Sequence, residues 1–408
     1  MKDLLSDPRV RRLLLANITG SIGSGITIIA VPWILVHRSG GDQIYGYVTI
    51  FTTLALFIFM PYYGAWIDRH SRKRMLLAGE LFGFISTLSM ASWALLTGCV
   101  ETWQLIVSYF SGMLYFTLHY PAKYAFLQQI IDSRHFQSLT GLMEIQGQAA
   151  SMLAGGLAGI LVDRIPLWLI LFVDSATYLF SFLVQSTLPY ESTHLKHGSP
   201  PANAWRSMAE GWRWLHARAR LSIYFGCTLV PFVIVMVGNY IFPVYVAGVL
   251  RASSSVFGNG EIAFSAGALL AGFMIPRLAT ERGGDRVIVV TMMFCLVAIA
   301  LFMFRQTPNA YYIGMGLFGL GNAGSRVART ALMLHTIPNA VMGRVGMFYG
   351  LADRLLRTVL ISFCTFVVAR RGATPAYTGL WLVLLASFIG ALATRGSVRA
   401  KAAAAAGH

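Results

Sequence analysis

Apolar residues fall in long blocks separated by short polar breaks. Twelve such runs can be read, at 12–37, 45–67, 75–97, 103–131, 137–162, 166–188, 221–249, 255–279, 286–304, 309–336, 341–369 and 374–394. Each is close to or above the roughly 20 mostly apolar residues that carry a helix across a bilayer. Several connections are so short that consecutive runs must form antiparallel hairpins. The longest polar interruption is 189–220. It holds Ser199-Pro200-Pro201, which breaks a helix, and then AWRSMAEGWRWLHARARL. In that stretch Trp205, Met208, Trp212 and Leu215 share one helical face, with Arg206, Arg213, His216 and Arg218 elsewhere. The segment reads either as a helix lying on the inner membrane surface or as a linker helix packed under the bundle. The expected organisation is an N-terminal bundle at 1–188, a cytoplasmic linker at 189–220 and a C-terminal bundle at 221–400. Residues 401–408 read as a cloning remnant.

Composition supports the bilayer as solvent. Hydrophobic residues make up 56% of the 408 and charged residues only 12%, where a soluble domain carries roughly 25% charged. Mean hydropathy is +0.63. A formal charge of +16 raises the question of nucleic acid. The cations sit between apolar runs, however, and form no patch with interleaved aromatics, so nucleic-acid binding is excluded. Their distribution instead sets orientation. If the N-terminus is cytoplasmic, only six of the 32 Lys and Arg fall on the far side: Arg38, Arg164, Arg251, Arg305, Arg370 and Arg371. Five more lie inside runs, and all the others are cytoplasmic. Both termini are therefore expected inside, with no cleavable signal peptide.

No enzyme chemistry is visible. There is no nucleophile–base pair, no phosphate-binding loop and no HExxH or other metal set, so ATP is not the driver and no cofactor is expected. Cys227, Cys295 and Cys364 lie in apolar runs and Cys99 in a loop, with no CxxC or Cys/His cluster, so neither a metal site nor a disulfide framework is expected.

The two halves repeat. Positions 64–74 read GAWIDRHSRKR and 272–277 read GFMIPR, each closing an apolar run with a glycine five residues before an arginine. Nearly the same offset aligns YPAKYAFLQQIID (120–132) with RVARTALMLHTIP (326–338), pairing Lys123 with Arg329. Such duplication suggests two similar six-helix bundles around a central path.

Gly64, Asp68, Arg69, Arg72, Lys73 and Arg74 match the G-x-x-x-D-R-x-x-R-[KR]-R loop of the major facilitator superfamily, and the chain resembles that family. YPAKYAFLQQII, LFVDSATYLFSFL and AEGWRWLHARARL resemble segments of the bacterial exporters similar to the enterobactin exporter and the macrolide efflux pumps. The resemblance implies an all-α membrane protein of twelve transmembrane helices in two pseudo-symmetric bundles. It also implies a conformational latch, with Asp68 facing the N-terminus of the eleventh helix and Arg69, Arg72, Lys73 and Arg74 pairing with acids, Glu80 being a nearby candidate. Pro276 stands where the second corner would need the aspartate. Two departures weaken the implied proton antiport. The fourth helix lacks a mid-helix arginine and offers His119 and Lys123. The fifth has Gly147, Gly155, Gly156 and Gly159 without the neighbouring proline.

Ionisable residues within a span are costly and mark function or pairing. The cations are Lys123, Arg326, Arg329, Arg354 and Arg357; the acids are Glu144, Asp174, Glu261 and Asp353. Tyr115, His119 and Lys123 share a face at i, i+4, i+8. Asn322, Arg326 and Arg329 do so at i, i+4, i+7. Asp353 and Arg357 form an i, i+4 pair. Asn17, Asn239 and Tyr240 lie on spans that line the cavity in the family. Asp174 reads as a hydrogen-bonded group packed between helices, and Glu261 as wetted near the outer end. An excess of buried cations attracts anions, because arginine binds carboxylate, catecholate or phosphate oxygens bidentately. For proton coupling Glu144 is preferred, having few obvious partners. His119 follows, since imidazole titrates near neutral pH. Asp353, engaged by Arg354 and Arg357, carries protons poorly unless substrate takes an arginine.

The expected protein is a monomeric inner-membrane secondary transporter. It exports an anionic or zwitterionic amphiphile, such as a siderophore, by alternating access and proton antiport. A siderophore importer, a lysophospholipid flippase, a multidrug pump and, from another class, a membrane-embedded enzyme or scaffold are the alternatives.

Overall fold

A computed structural model describes residues 8–130, 136–189, 212–337 and 339–396. Its regular elements among these are all helices: α1 Pro8–Val36, α2 Gly41–Arg69, α3 Arg72–Thr97, α4 Thr102–Ile130, α5 Phe136–Leu161, α6 Leu167–Ser186, α7 Ala219–Cys227, α8 Val230–Gly248, α9 Ser254–Arg282, α10 Gly284–Phe304, α11 Pro308–Thr336, α12 Asn339–Arg371 and α13 Ala373–Thr394. A helix satisfies its backbone N–H and C=O groups internally, which the bilayer core requires. Eight stretches among the described residues are long and apolar enough to cross a membrane. Large apolar side chains such as Phe51, Ile58, Phe273, Phe304 and Leu382 stand exposed along them.

Each apolar run becomes one helix, with one exception. The run 221–249 is broken into α7 and α8. Pro231, at the start of α8, has no N–H to give to the carbonyl of Cys227, and its ring crowds that carbonyl. The hairpins are as tight as the sequence predicts. Single residues, Gly283 and Gly372, join α9 to α10 and α12 to α13. Their φ angles of 89° and 81° lie where only glycine is unstrained.

The chain forms two compact units. The first comprises Met1–Ser199 with Ala252–Ile262, and the second Pro200–Arg251 with Ala263–His408. In the first unit Val10, Leu13, Leu76, Phe126, Met143 and Leu188 contribute to one apolar cluster. Small residues let its helices approach. A Cβ on Gly83 would meet the Tyr178 ring at 2.6 Å, and one on Gly20 the Ser181 hydroxyl at 2.9 Å. Ser181 Oγ donates to the Ala16 carbonyl at 2.8 Å, joining α6 to α1. The first residues of α9 lie against α5. A Cβ on Gly258 would strike the Gly155 carbonyl and stand 2.8 Å from the Gly159 Cα. Ser254 Oγ donates to the Gly159 carbonyl at 2.9 Å. Asp163 caps the start of α9, accepting from Ser254 N at 3.1 Å and Oγ at 2.7 Å. Gly155 and Gly159 therefore serve close packing, whereas nothing stands within 4 Å of a Cβ on Gly147.

In the second unit Tyr245, Phe302, Tyr311 and Tyr377 interlock, with ring centroids 5.2 to 6.1 Å apart. Tyr245 Oη donates to the Phe302 carbonyl at 2.8 Å. Of the segment ahead of α7, residues 212–216 are helical. Leu215 is buried and Trp212 exposed, with the Trp212 ring 5.2 Å from Phe348. Trp205, Arg206 and Met208 lie outside the described residues, as does the 401–408 tail.

Candidate substrate and coupling site

Inside the first unit four helices bring polar side chains to one place. Glu80 of α3 is its hub. Its Oε1 accepts from Tyr115 Oη at 3.2 Å and from Gln185 Nε2 at 2.9 Å. It also stands 3.3 Å from His119 Nδ1, and that nitrogen is 3.0 Å from Tyr115 Oη. With the phenol hydrogen given to Glu80, His119 Nδ1 reaches the phenol oxygen as a donor. The geometry holds through ring packing: Tyr115 stacks on His119 at 4.9 Å and meets Tyr178 edge-on at 4.7 Å. Lys123, one turn beyond His119, places its ammonium 4.6 Å from the Tyr120 ring centroid. Glu80 is 1% exposed and Lys123 4%. Burying such charges is costly without partners, and the carboxylate, imidazole and ammonium all line one cavity.

This set borders space. A cavity of about 10 Å³ is lined by Asn17, Ser21, Glu80, Tyr115, His119 and Lys123, which is the scale of a single water. Glu80 Oε2 and both amide atoms of Asn17 have no hydrogen-bond partner. A second cavity of about 20 Å³ is lined by Thr27, Thr87, Ser108, Asp174 and Tyr178. Ser24 and Phe116 border both. Asp174 is buried between helices near Thr27 and Thr177, but neither carboxylate oxygen has a hydrogen-bond partner, so it is not the hydrogen-bonded group expected from the sequence.

In the second unit the ion pair expected from its spacing is formed, with Arg357 Nη2 2.7 Å from Asp353 Oδ2. The Arg357 guanidinium lies 5.8 Å from the Phe232 ring centroid. The Arg329 guanidinium lies 5.7 Å from the Tyr349 ring, and Tyr349 Oη donates to the Ser222 carbonyl at 3.0 Å. Such aromatic faces hold a cation without neutralising it. Asn322 is buried with Oδ1 unpartnered. Arg326 and Arg354 each engage a neighbour. Asn239 is exposed while Tyr240 is fully buried, so those two do not share a face.

The side chains of Gly64, Asp68, Arg69 and Glu144 lie outside the described residues. Of the remaining loop residues, Arg72 and Arg74 open α3, where Ser71 Oγ accepts from Arg74 N at 3.4 Å. Lys73 Nζ donates to the Ser186 and Leu188 carbonyls, both at 2.6 Å, capping the C-terminus of α6. Glu80 does not serve the loop cations; it faces inward to His119. Sequence reasoning missed Glu80, Tyr178 and Gln185 as site residues. The available signal was Glu80 itself, the only acid in the run 75–97.

A many-helix bundle with long apolar helices, exposed apolar side chains and buried ionisable groups is the architecture of a multi-pass membrane protein. Residues 13–359 match the Major Facilitator Superfamily, and the chain belongs to that family. It is a multi-pass protein of the bacterial inner membrane. Macrolide efflux protein A of Streptococcus pyogenes is 20% identical over 333 residues, covering 79% of this chain and 80% of that protein. Among solved structures, a bacterial homologue of the iron transporter ferroportin in an inward-facing state superposes with a TM-score of 0.70. Identity there is 16%, with 95% of this chain and 98% of that chain covered. The human organic anion transporter MFSD10 gives 0.60 at 13% identity, covering 95% and 100%. Both likenesses are likenesses of fold.

Proposed function

We propose that this transporter exports an anionic or zwitterionic amphipathic small molecule of siderophore type, by alternating access and in exchange for protons. One observation carries the substrate class. Within α11 and α12, Arg326, Arg329, Arg354 and Arg357 stand with Asp353 as the only carboxylate on either helix. A carboxylate or catecholate ligand supplies the charge and the paired oxygens that these guanidiniums bind. The 2.7 Å Asp353–Arg357 contact then opens when substrate takes the arginine.

For the coupling group, the contacts around Glu80 favour the Glu80–His119 pair over the Glu144 expected from sequence. The pair has what a carrier needs: a carboxyl oxygen without a partner, an imidazole within 3.3 Å and a cavity beside it. Flux in proteoliposomes under an imposed pH gradient tests both parts. Carboxylate and catecholate ligands should move against the proton gradient, and no gradient-dependent movement of either would overturn the reading.

The relative from Streptococcus pyogenes and the buried Glu80 and Asp174 support a second reading, a macrolide-type cationic substrate held in the first unit. In the same vesicles, macrolide-driven proton release without anion flux would select it.

A further inference from the structure

We infer that the second unit holds one anionic phospholipid of the inner leaflet, in a groove between α9 and α10. The groove has a volume of about 230 Å³. Its α9 wall is Ala271, Met274, Ile275 and Leu278; its α10 wall is Val287, Val290, Thr291 and Phe294, and Leu320 of α11 adds to the lining. The spacing i, i+3, i+4, i+7 recurs on both helices, so each wall is one apolar stripe. Both stripes end in arginine at the same place. Arg282 follows Leu278 by one turn, and Arg286 precedes Val290 by one turn, with the Gly283 turn between them. Both line the groove.

The neighbouring acids are already committed. Glu281 Oε1 is 2.8 Å from Arg277 Nε, and Asp285 Oδ2 is 2.6 Å from Arg395 Nε. Among the described residues no acid pairs with Arg282 or Arg286, and no acid lines the groove. The result is a channel that is apolar along its length and doubly cationic at one end.

Its length selects the occupant. The eleven steps from Ala271 to Arg282 rise about 16 Å at 1.5 Å per residue, roughly half of a ~30 Å hydrocarbon core. The loop cations place Arg282 and Arg286 on the cytoplasmic side. An acyl chain lying in the groove therefore spans one leaflet and leaves its headgroup phosphate at the two arginines. Basic sites of this kind recognise anionic headgroups. A free anion would use the arginines and leave the groove empty. A zwitterionic lipid would fill the groove and bring no net charge. This inference does not depend on the substrate proposed above.

The test is thermal unfolding of the purified full chain in detergent, with phosphatidylglycerol, phosphatidylcholine of the same chains, or inorganic phosphate added. Phosphatidylglycerol should raise the midpoint and the other two should not. The Arg282→Gln/Arg286→Gln variant should lose the shift. Should that variant not fold, Val290→Trp fills the groove, leaves both arginines in place and should lose the shift too. An equal shift with phosphatidylcholine, a shift with inorganic phosphate alone, or a shift retained in a folded variant overturns the proposal.

Discussion

Glu80 and His119 lie on different helices, 39 positions apart in sequence, with Oε1 and Nδ1 3.3 Å apart. Both are shielded from solvent. Protonating either one changes whether the contact joins opposite charges. Because Tyr115 and Gln185 converge on the same oxygen, the change is felt on α3, α4 and α6 together.

Glu80→Gln keeps the shape of the hub and removes its titration. Gradient-driven flux in proteoliposomes should fall to the level of protein-free vesicles, while substrate affinity stays near the wild-type value. Equal flux in variant and wild type would remove Glu80 from the coupling path.

Glu80→Ala differs in kind. It leaves Lys123 buried without its counter-charge and Tyr115 and Gln185 without their acceptor. Breaking one side of a buried charge set costs about 3–5 kcal/mol. Thermal unfolding in detergent should show a clear fall in midpoint, larger than for Glu80→Gln.

Arg357→Gln removes a guanidinium that engages Asp353. Loss of a charge-assisted hydrogen bond to ligand costs roughly 1.5–3 kcal/mol, so anion affinity measured by calorimetry should drop tenfold or more. Arg329→Gln should act in the same direction. Unchanged affinity in both would make the two arginines structural.

Gly258→Ala tests the close crossing of α9 and α5. The new Cβ meets the Gly155 carbonyl, and overpacking of this kind costs about 1–3 kcal/mol. Gly79→Ala is the control. Nothing lies within 4 Å of a Cβ there, and its helix should gain up to about 1 kcal/mol in propensity. Unfolding midpoints should move in opposite directions.

Lys73→Ala removes the cation that caps α6. Its hydrogen bonds to Ser186 and Leu188 are partly exposed, so a loss of about 1 kcal/mol is expected, with Lys73→Arg retaining most of it.

Local features were legible in sequence, and convergent ones were not. Lipid imposes a minimum length on each apolar run, so the helices announce themselves, except that 221–249 reads as one run and Pro231 breaks it into α7 and α8. Asp353 and Arg357 are one turn apart on a single helix, so spacing alone pairs them. Glu80, His119 and Gln185 come from three helices, and nothing in their separate neighbourhoods points to a common centre. Proximity in sequence even misdirects: Glu80 follows Lys73 by seven positions and so reads as a partner of the loop cations. Lys73 instead reaches the end of α6, more than a hundred positions on.

The crossing at Gly155, Gly159 and Gly258 has an entropic consequence. Ordering a long side chain against a neighbour costs rotamer freedom, up to about 2 kcal/mol each. The glycines there have no rotamers to freeze, so the crossing forms at little side-chain entropy cost, and the Ser254 and Asp163 hydrogen bonds then hold it.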